Sequence, residues 1–236
     1  MTARPSLIRV RAEIVACTRC PRLRRYCNEI ARVKKAAHRG EEYWGRPVPG
    51  FGDPAAAVLV LGLAPAAHGA NRTGRVFTGD GSGDFLMRAM HATGLATIPT
   101  SRHAGDGLQL RDAYIAAAVR CAPPDNKPLP AEITNCAPHL ERELAALPGV
   151  RVVVALGRIA CNAYWRLANA RGENPRPRPA FAHGAVHRPS TPSRVPALVM
   201  SYHPSRQNTN TGRLTAAMLD AVFETAVRTA GVRPAD

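Results

Sequence analysis

The sequence predicts an α/β fold with a mostly parallel sheet and helices on both of its faces. Short apolar runs alternate along the chain with segments of helical periodicity, which is the pattern of repeated strand–helix units. The 236 residues are 45% hydrophobic, enough to bury one substantial core. No apolar run approaches the length of a membrane span. We therefore expect a single soluble domain over residues 1–236.

The N-terminal part is predicted to contain one helix, then a basic segment and an ordered loop. Apolar residues recur at helical spacing over Ser6–Ala16. A basic segment, Arg22–Lys35, follows the first two cysteines. The stretch PVPGFGD at 47–53 combines Pro and Gly, which favours an ordered, non-helical loop.

From residue 56 onward, predicted strands and helices alternate. The strands are Ala56–Leu63, Ala113–Val119, Val150–Leu156 and Ala197–Ser201. The helices are Gly83–Thr93, Ala131–Leu147, Ile159–Ala170 and Gly212–Ala230, and a Pro-rich loop covers Arg171–Pro196. Ligands of such sheets bind at the carboxyl ends of the strands. We therefore search for a site in the loops after Leu63, Val119 and Ser201.

Charge and cysteine content suggest the kind of partner and compartment. The 32 Lys and Arg exceed the 17 Asp and Glu, and the resulting charge of +15 favours a polyanionic partner, nucleic acid first. A GC-rich genome that enriches Arg and Ala throughout is the alternative. The N-terminus has no secretory signal pattern, which predicts a cytoplasmic, reducing environment. There, six cysteines indicate metal ligation, catalysis or burial more often than disulfides.

Four of the cysteines have spacing typical of a metal centre. They form the pairs Cys17-x2-Cys20 and Cys121-x14-Cys136. Spacing alone does not distinguish a zinc ion from a [4Fe–4S] cluster, since both accept four thiolates. Four unrelated buried thiols are the third interpretation. Cys27 and Cys161 lack paired spacing, so we expect both in the core.

The first candidate loop, GLAPAAHGANRTGRVFTGDGSG at 62–83, is rich in small residues and ends at a predicted helix. Small residues let the backbone approach a ligand closely, and a helix N-terminus offers free amide donors. The loop carries one acid, Asp80, and one aromatic residue, Phe77. We interpret it as a pocket wall, although Asp80 could equally be only the cap of the helix.

The other two loops are also polar. RCAPPDNKP at 120–128 places Asn126 between prolines, where a purely structural turn is the commoner role. SYHPSRQNTNTGRLT at 201–215 carries His203 at a strand end, followed by side chains that form hydrogen bonds. The nucleophile elbow, the phosphate-binding loop and the HExxH motif are all missing from the sequence, which argues against the commonest hydrolase, nucleotidase and metalloprotease classes.

Taken together, these motifs resemble the B-type (family 5) uracil-DNA glycosylases. The resemblance covers most of the chain and rests on GLAPAAHGANRTGR followed by FTGD, on HPSRQNTNTGRLT, on PGFGDP and on the four-cysteine pattern. It implies a three-layer α/β/α sandwich around a short parallel sheet and a [4Fe–4S] cluster held by the four cysteines. It also implies an enzyme, a monomer by expectation, that removes uracil and other deaminated bases such as hypoxanthine and xanthine from DNA by hydrolysis.

The resemblance further assigns roles to individual residues. Asp80 corresponds to the group that positions the attacking water, Asn126 to a second polar catalytic residue, and His203 to the donor that stabilises the departing base. Phe77 corresponds to the stacking surface for the base. The backbone around Gly62, Leu63 and Ala64 would line the pocket. The DNA-inserting loop would supply Ser205, Arg206, Gln207, Asn208 and Arg213.

Two positions depart from the sibling A type of the family. That type carries an acid in the first loop and an Asn on the strand before the third cysteine, where this chain has Leu63 and Ala117. Loss of the Asn removes an amide that would read the uracil edge, so we expect a broader base range. The competing hypotheses are an A-type, uracil-specific enzyme and a non-catalytic, zinc-containing DNA-binding module.

Overall fold

The structure is a computed structural model that describes residues 5–190 and 195–232, so part of the predicted Pro-rich loop, 191–194, lies outside it. The strands are β1 (Phe51–Gly52), β2 (Val58–Gly62), β3 (Ala113–Ala117), β4 (Val152–Leu156), β5 (Val186–His187) and β6 (Ala197–Ser201). They form one sheet in the order β1-β3-β2-β4-β6-β5. The central four are parallel, and the short β1 and β5 pair antiparallel at the edges. The prediction of a mostly parallel sheet is confirmed.

Helices cover both faces of this sheet. They are α1 (Leu7–Val15), α2 (Pro21–Val33), α3 (Ala70–Thr73), α4 (Gly81–Ala92), α5 (Pro130–Ala146), α6 (Arg158–Ala170), α7 (Arg206–Asn210) and α8 (Ala216–Ala230). No helix in residues 5–190 and 195–232 is long and apolar enough to cross a membrane.

The sequence of β2, VLVLG, explains its position in the middle of three layers. All five residues are buried, because alternate side chains point into different cores. Val60 belongs to the core with Leu86 of α4 and Phe223 of α8. Leu59 belongs to the opposite core, with side chains of α5 and α6 that include Trp165. This arrangement is the expected α/β/α sandwich.

Three segments contain regular elements that were not predicted. The basic segment Arg22–Lys35 is mostly the helix α2, whose inner face buries Leu23 and Cys27 while most of its charged side chains, Arg24 excepted, are exposed. The loop at 47–53 contains β1, where Gly52 comes too close to the backbone of β3 for a side chain. The third candidate loop contains the short α7, which starts where the Ser205 hydroxyl accepts a hydrogen bond from the Asn208 N–H. These elements form because α2 buries apolar side chains, β1 pairs with β3 and Ser205 caps α7.

Candidate active site

A cavity of about 660 Å³ opens at the carboxyl ends of the parallel strands. The segments that follow β2, β4 and β6 all contribute to its wall. It is lined by the predicted catalytic residues Asp80, Asn126 and His203 and by the predicted base-contacting residues Leu63, Ala64 and Phe77. The structure therefore brings together side chains from three separate loops of the sequence.

Asp80 both caps a helix and faces the cavity. Its Oδ1 accepts a hydrogen bond from the Gly83 N–H at 3.0 Å, at the first turn of α4. Its Oδ2 lies against Gly69, where any β-carbon would overlap it. Burial raises the pKa of the Asp80 carboxyl, and this effect outweighs the backbone hydrogen bonds that lower it. The two interpretations of Asp80 from the sequence are thus compatible.

Phe77 has a strained backbone. Its φ of 50° is unusual for a bulky residue. The ring occupies the space over Gly62, where a β-carbon would overlap it, so Gly62 supports the ring instead of lining the cavity. On the cavity side, the Phe77 and His203 rings have centroids 5.7 Å apart and an interplanar angle of 31°. Phe77 thus presents a fixed apolar surface to the cavity.

His203 is a neutral imidazole at physiological pH. Burial lowers its pKa to about 4, because the charged ring would lose its hydration. Its backbone carbonyl accepts a hydrogen bond from Nδ2 of Asn208 at 2.8 Å. Gly157 also approaches the His203 side chain closely, and a β-carbon there would lie 3.3 Å from the Cβ of the histidine. His203 can therefore donate or accept a hydrogen bond but does not supply a positive charge.

Asn126 lies in a strained turn at the edge of the cavity. Asp125 and Asn126 have successive positive φ angles of 52° and 56° within the short 3₁₀ turn Pro124–Asn126. Asn and Asp tolerate this conformation better than most residues. An adjoining cavity of about 450 Å³ shares Asp80, Asn126 and Arg206 with the first and is also lined by Lys35.

Three of the five predicted DNA-inserting residues line the main cavity and two do not. Ser205, Arg206 and Gln207 line the main cavity. Asn208 turns inward and braces His203, as described above. Arg213 does not line the cavity and lies over the Tyr202 ring, 4.8 Å from its centroid.

A buried network holds the FTGD segment in place. Arg75 forms an ion pair with Asp106 at 2.7 Å, and both side chains are 8% exposed. The same guanidinium donates to the hydroxyls of Thr78 at 2.9 Å and Ser101 at 3.0 Å. The Ser101 carbonyl accepts a hydrogen bond from Gly79, next to Asp80. The network thereby fixes the loop that carries Phe77 and Asp80.

The cysteines with paired spacing meet at one place in the fold. Cys20, Cys121 and Cys136 are buried in one hydrophobic cluster, and Cys17 is half-buried. The thiol of Cys136 accepts a hydrogen bond from the Arg120 N–H at 3.3 Å. Cys27 is buried as expected but belongs to the same cluster, where its thiol lies next to Cys121 and donates a hydrogen bond to the Ala122 carbonyl at 3.6 Å. Cys161 lies in the core beneath α6.

The surroundings of these thiols suit an anionic, sulfur-rich group. The buried Nε and Nη1 of Arg120 and Nη1 of Arg24 have no hydrogen-bond partner within the described residues. Their charges act on Cys136 and Cys121 respectively. Thiolates and cluster sulfides would accept hydrogen bonds from such donors. The described side chains do not, however, include three or more His, Cys, Asp or Glu already in the arrangement of a metal-ion site.

Two charged residues of the cavity wall were not predicted as site residues. Asp125 precedes Asn126, and Arg158 begins α6 directly after β4. The signal for Arg158 was available, because β4 is also a parallel strand whose carboxyl end faces the site. The site was predicted only from the loops after the other three parallel strands, so Arg158 was missed.

Comparisons with known proteins agree with this geometry. Residues 49–227 match the model of the family "Uracil DNA glycosylase superfamily". A "Type-5 uracil-DNA glycosylase" of Thermus thermophilus is 53% identical over 93% of this chain and 96% of its own length. Proteins of the same name from Mycobacterium bovis and Pyrobaculum aerophilum are 48% and 45% identical, over 96% and 92% of this chain and 83% and 91% of their own lengths. The chain therefore belongs to the uracil DNA glycosylase superfamily and, within it, to the type-5 family.

Proposed function

We propose that the chain hydrolyses the N-glycosidic bond of uracil in DNA and leaves an abasic site, without a lyase step. The observation that carries this proposal is one cavity that joins a half-buried carboxylate, Asp80, a neutral imidazole, His203, and an aromatic surface, Phe77. The names of the type-5 relatives support it. The charge of +15 suits a polyanionic substrate.

The substrate nucleotide has to leave the duplex before it can react. A stacked base does not expose its sugar C1′ to water, so the enzyme bears a flipping cost of a few kcal/mol. The cavity of about 660 Å³ gives the extruded base a place beside the Phe77 ring. Mispaired bases flip more readily, which favours deaminated bases over their paired neighbours.

Hydrolysis separates charge between the sugar and the base. The bond from C1′ to the base nitrogen breaks, and the base takes the electron pair while positive charge develops on the sugar. Asp80 orients a water whose oxygen bonds to C1′, and the carboxylate accepts the proton of that water. The proton that Asp80 has accepted then returns through solvent to the departing base, which leaves neutral and restores the carboxylate. Asn126 would hold the same water or the sugar from the other side of the cavity.

His203 would stabilise the negative charge on the base. A neutral imidazole N–H, together with backbone amides near Leu63 and Ala64, can donate to the base oxygen as the charge develops. Preorganised donors of this kind typically contribute about 3 kcal/mol each to the transition state. Because the pKa of His203 is about 4, the ring would act as a neutral hydrogen-bond donor and not as a proton donor.

We further propose that the base range extends beyond uracil to hypoxanthine and xanthine. The chain has Leu63 and Ala117 where the A type has an acid and an Asn. Leu63 lines the cavity with an apolar side chain. Ala117 is buried at the end of β3 and has no side-chain amide that could distinguish one base edge from another. Rejection of other bases would then rely on shape alone, which discriminates weakly.

The thiols of Cys17, Cys20, Cys121 and Cys136 would hold a [4Fe–4S] cluster. Glycosidic hydrolysis requires no redox step, so the cluster would act as a structural cross-link. It would join the start of α2 to the segment between Cys121 and Asn126. The partnerless guanidinium nitrogens of Arg24 and Arg120 support an anionic group at this place.

A panel of oligonucleotides tests the proposal. Duplexes that carry a single uracil, hypoxanthine or xanthine are incubated with the protein and scored for abasic sites, with and without a chemical cleavage step. We expect abasic product from all three and strand breaks only after chemical cleavage. Product from uracil alone would contradict the broad range. No product, from a colourless and zinc-containing protein, would favour a non-catalytic DNA-binding module.

A further inference from the structure

A row of four side chains leads away from the rim of the cavity. Arg158, which lines the cavity, lies over the Phe181 ring at 5.4 Å from its centroid. The Phe181 and Tyr202 ring centroids are 6.1 Å apart. Arg213 covers Tyr202 at 4.8 Å. We refer to Arg158, Phe181, Tyr202 and Arg213 as the rim row.

Both arginines of the rim row are exposed, and neither has a hydrogen-bond or ion-pair partner among the side chains of the described residues. Elsewhere in the structure, arginines beside carboxylates pair with them, as Arg75 does with Asp106. In the rim row the cations rest on aromatic faces instead, which orients them but leaves their charge uncompensated. Such guanidinium groups are free to bind an anion.

The aromatic residues of the row are firmly held. The Tyr202 N–H donates to Nδ1 of His183 at 3.2 Å, and these two rings stack with centroids 5.0 Å apart. The Gly184 N–H donates to the carbonyl of Met200 in β6 at 2.8 Å. The segment around Phe181 is thus fixed beside β6, and the row is a rigid feature of the surface.

We propose that the rim row binds the phosphodiester backbone of the DNA strand next to the nucleotide that enters the cavity. This inference rests on the proposed function. One end of the row is in the cavity wall, so a strand whose nucleotide enters the cavity passes beside Arg158. Guanidinium groups bind phosphate oxygens in a planar, bidentate manner, and cations held over rings lose less freedom on binding. The segment before β5 thereby gains a role in substrate binding.

The salt dependence of DNA binding tests the proposal. A fluorescently labelled duplex without damage is titrated with protein at several salt concentrations, and log Kobs is plotted against log salt. Each lost phosphate contact reduces the slope by about 1. We expect that reduction for Arg158→Ala and for Arg213→Ala, and about twice as much for the double variant.

Arg151 provides a matched control on the same strand. It is exposed and directly precedes β4, whereas Arg158 follows the other end of β4. Arg151→Ala removes the same charge from the far edge of the sheet, so its slope should equal that of the unmodified protein. Equal slopes for Arg151→Ala, Arg158→Ala and Arg213→Ala would overturn the proposal.

A double-mutant cycle tests the role of the ring. If Phe181 acts by holding Arg158, Phe181→Leu weakens DNA binding in the unmodified protein but not in the Arg158→Ala background. Additive effects of the two substitutions would contradict that coupling. Excision of uracil is scored separately in single-turnover reactions. If the slopes are reduced but the unmodified protein excises no uracil, the rim row binds DNA and the proposed function is wrong. If uracil is excised but the slopes are unchanged, the proposed function holds and the rim row does not bind DNA.

Discussion

Oδ2 of Asp80 lies in the space that a side chain at Gly69 would occupy. The two residues are eleven positions apart in the first loop, and Asp80 is already held through Oδ1 by the Gly83 N–H. A glycine on one side and a helix cap on the other therefore determine where the carboxylate points. This relationship makes the position of the catalytic candidate testable by changing a neighbour that has no chemistry of its own.

Gly69→Ala should reduce the excision rate by about 100-fold or more, because displacement of a catalytic group by about 1 Å has an effect of that size. Single-turnover excision of uracil from a duplex measures it. Gly40→Ala is the control, since a β-carbon there meets nothing within 4 Å. Equal rates for the two variants would show that Asp80 needs no such confinement.

Asp80→Asn should lose most of the excision activity and gain thermal stability at neutral pH. The folded-state pKa of Asp80 is raised by burial, so its contribution to stability is fully present below the ordinary pKa of about 4 and is lost as pH rises through the folded value. Asparagine can still cap α4 but never bears the charge. Thermal unfolding at neutral pH and at about pH 4 measures the difference, which should shrink at the lower pH. A variant less stable than the parent at neutral pH would contradict the buried charge.

Asp106→Asn should have the opposite effect on stability. Burial raises the pKa of Asp106, but the hydrogen bonds from Arg75 and from the backbone N–H groups of Arg102 and Leu108, together with the charge of Arg75, outweigh it and lower the pKa to about 2. Relative to an ordinary value of about 3.9, this contributes about 2–3 kcal/mol at neutral pH, which is lost as pH falls from about 4 to about 2. Denaturant unfolding at several pH values measures it. We also expect slower excision, because the same network holds the loop of Phe77 and Asp80.

The exposed pair of Arg88 and Asp220 is the control for that measurement. Its side chains are 40% and 27% exposed, and ion pairs at such positions contribute little. Asp220→Asn should therefore change the free energy of unfolding by less than about 1 kcal/mol. If Asp106→Asn changed the free energy of unfolding no more than Asp220→Asn does, the Arg75 network would not stabilise the loop significantly.

The pH profile of excision should not show the titration of an ordinary histidine. His203 has a pKa of about 4, so the single-turnover rate should be flat through the region near pH 6.5 and should fall only at acidic pH, as Asp80 becomes protonated. His203→Ala should lower the rate by about 100- to 1,000-fold, the usual effect of removing one oxyanion donor, without changing the shape of the profile. An inflection near pH 6.5 that vanished in His203→Ala would mean that a charged imidazole takes part.

The sequence predicted the sheet and most of the cavity because both follow from local pattern. Runs such as VLVLG mark buried parallel strands, and the rule that sites lie at strand ends located Leu63, Asn126 and His203. The same rule applied to β4 would have located Arg158. The family resemblance added the roles, which no spacing could supply.

Features that depend on long-range packing were not predictable in this way. Arg75 and Asp106 are 31 residues apart, and nothing in either local sequence marks them as a pair. The rim row brings Phe181 to Tyr202 only after the chain has returned to β6. The contact of Cys27 with Cys121 depends on α2, and no helix was predicted for that basic segment.

That contact leads to a prediction about the cysteines. If Cys17, Cys20, Cys121 and Cys136 hold the proposed [4Fe–4S] cluster, serine at any of the four should lower the iron content and the visible absorbance of anaerobically purified protein. Cys27→Ser should retain both, although Cys27 lies in the same hydrophobic cluster, because it has no place in the paired spacing. Cys161→Ser, in a different core, is the control for the loss of a buried thiol. Loss of iron in Cys27→Ser with retention in Cys17→Ser would assign Cys27 as a ligand in place of Cys17, since Cys17 is only half-buried and Cys27 already contacts Cys121.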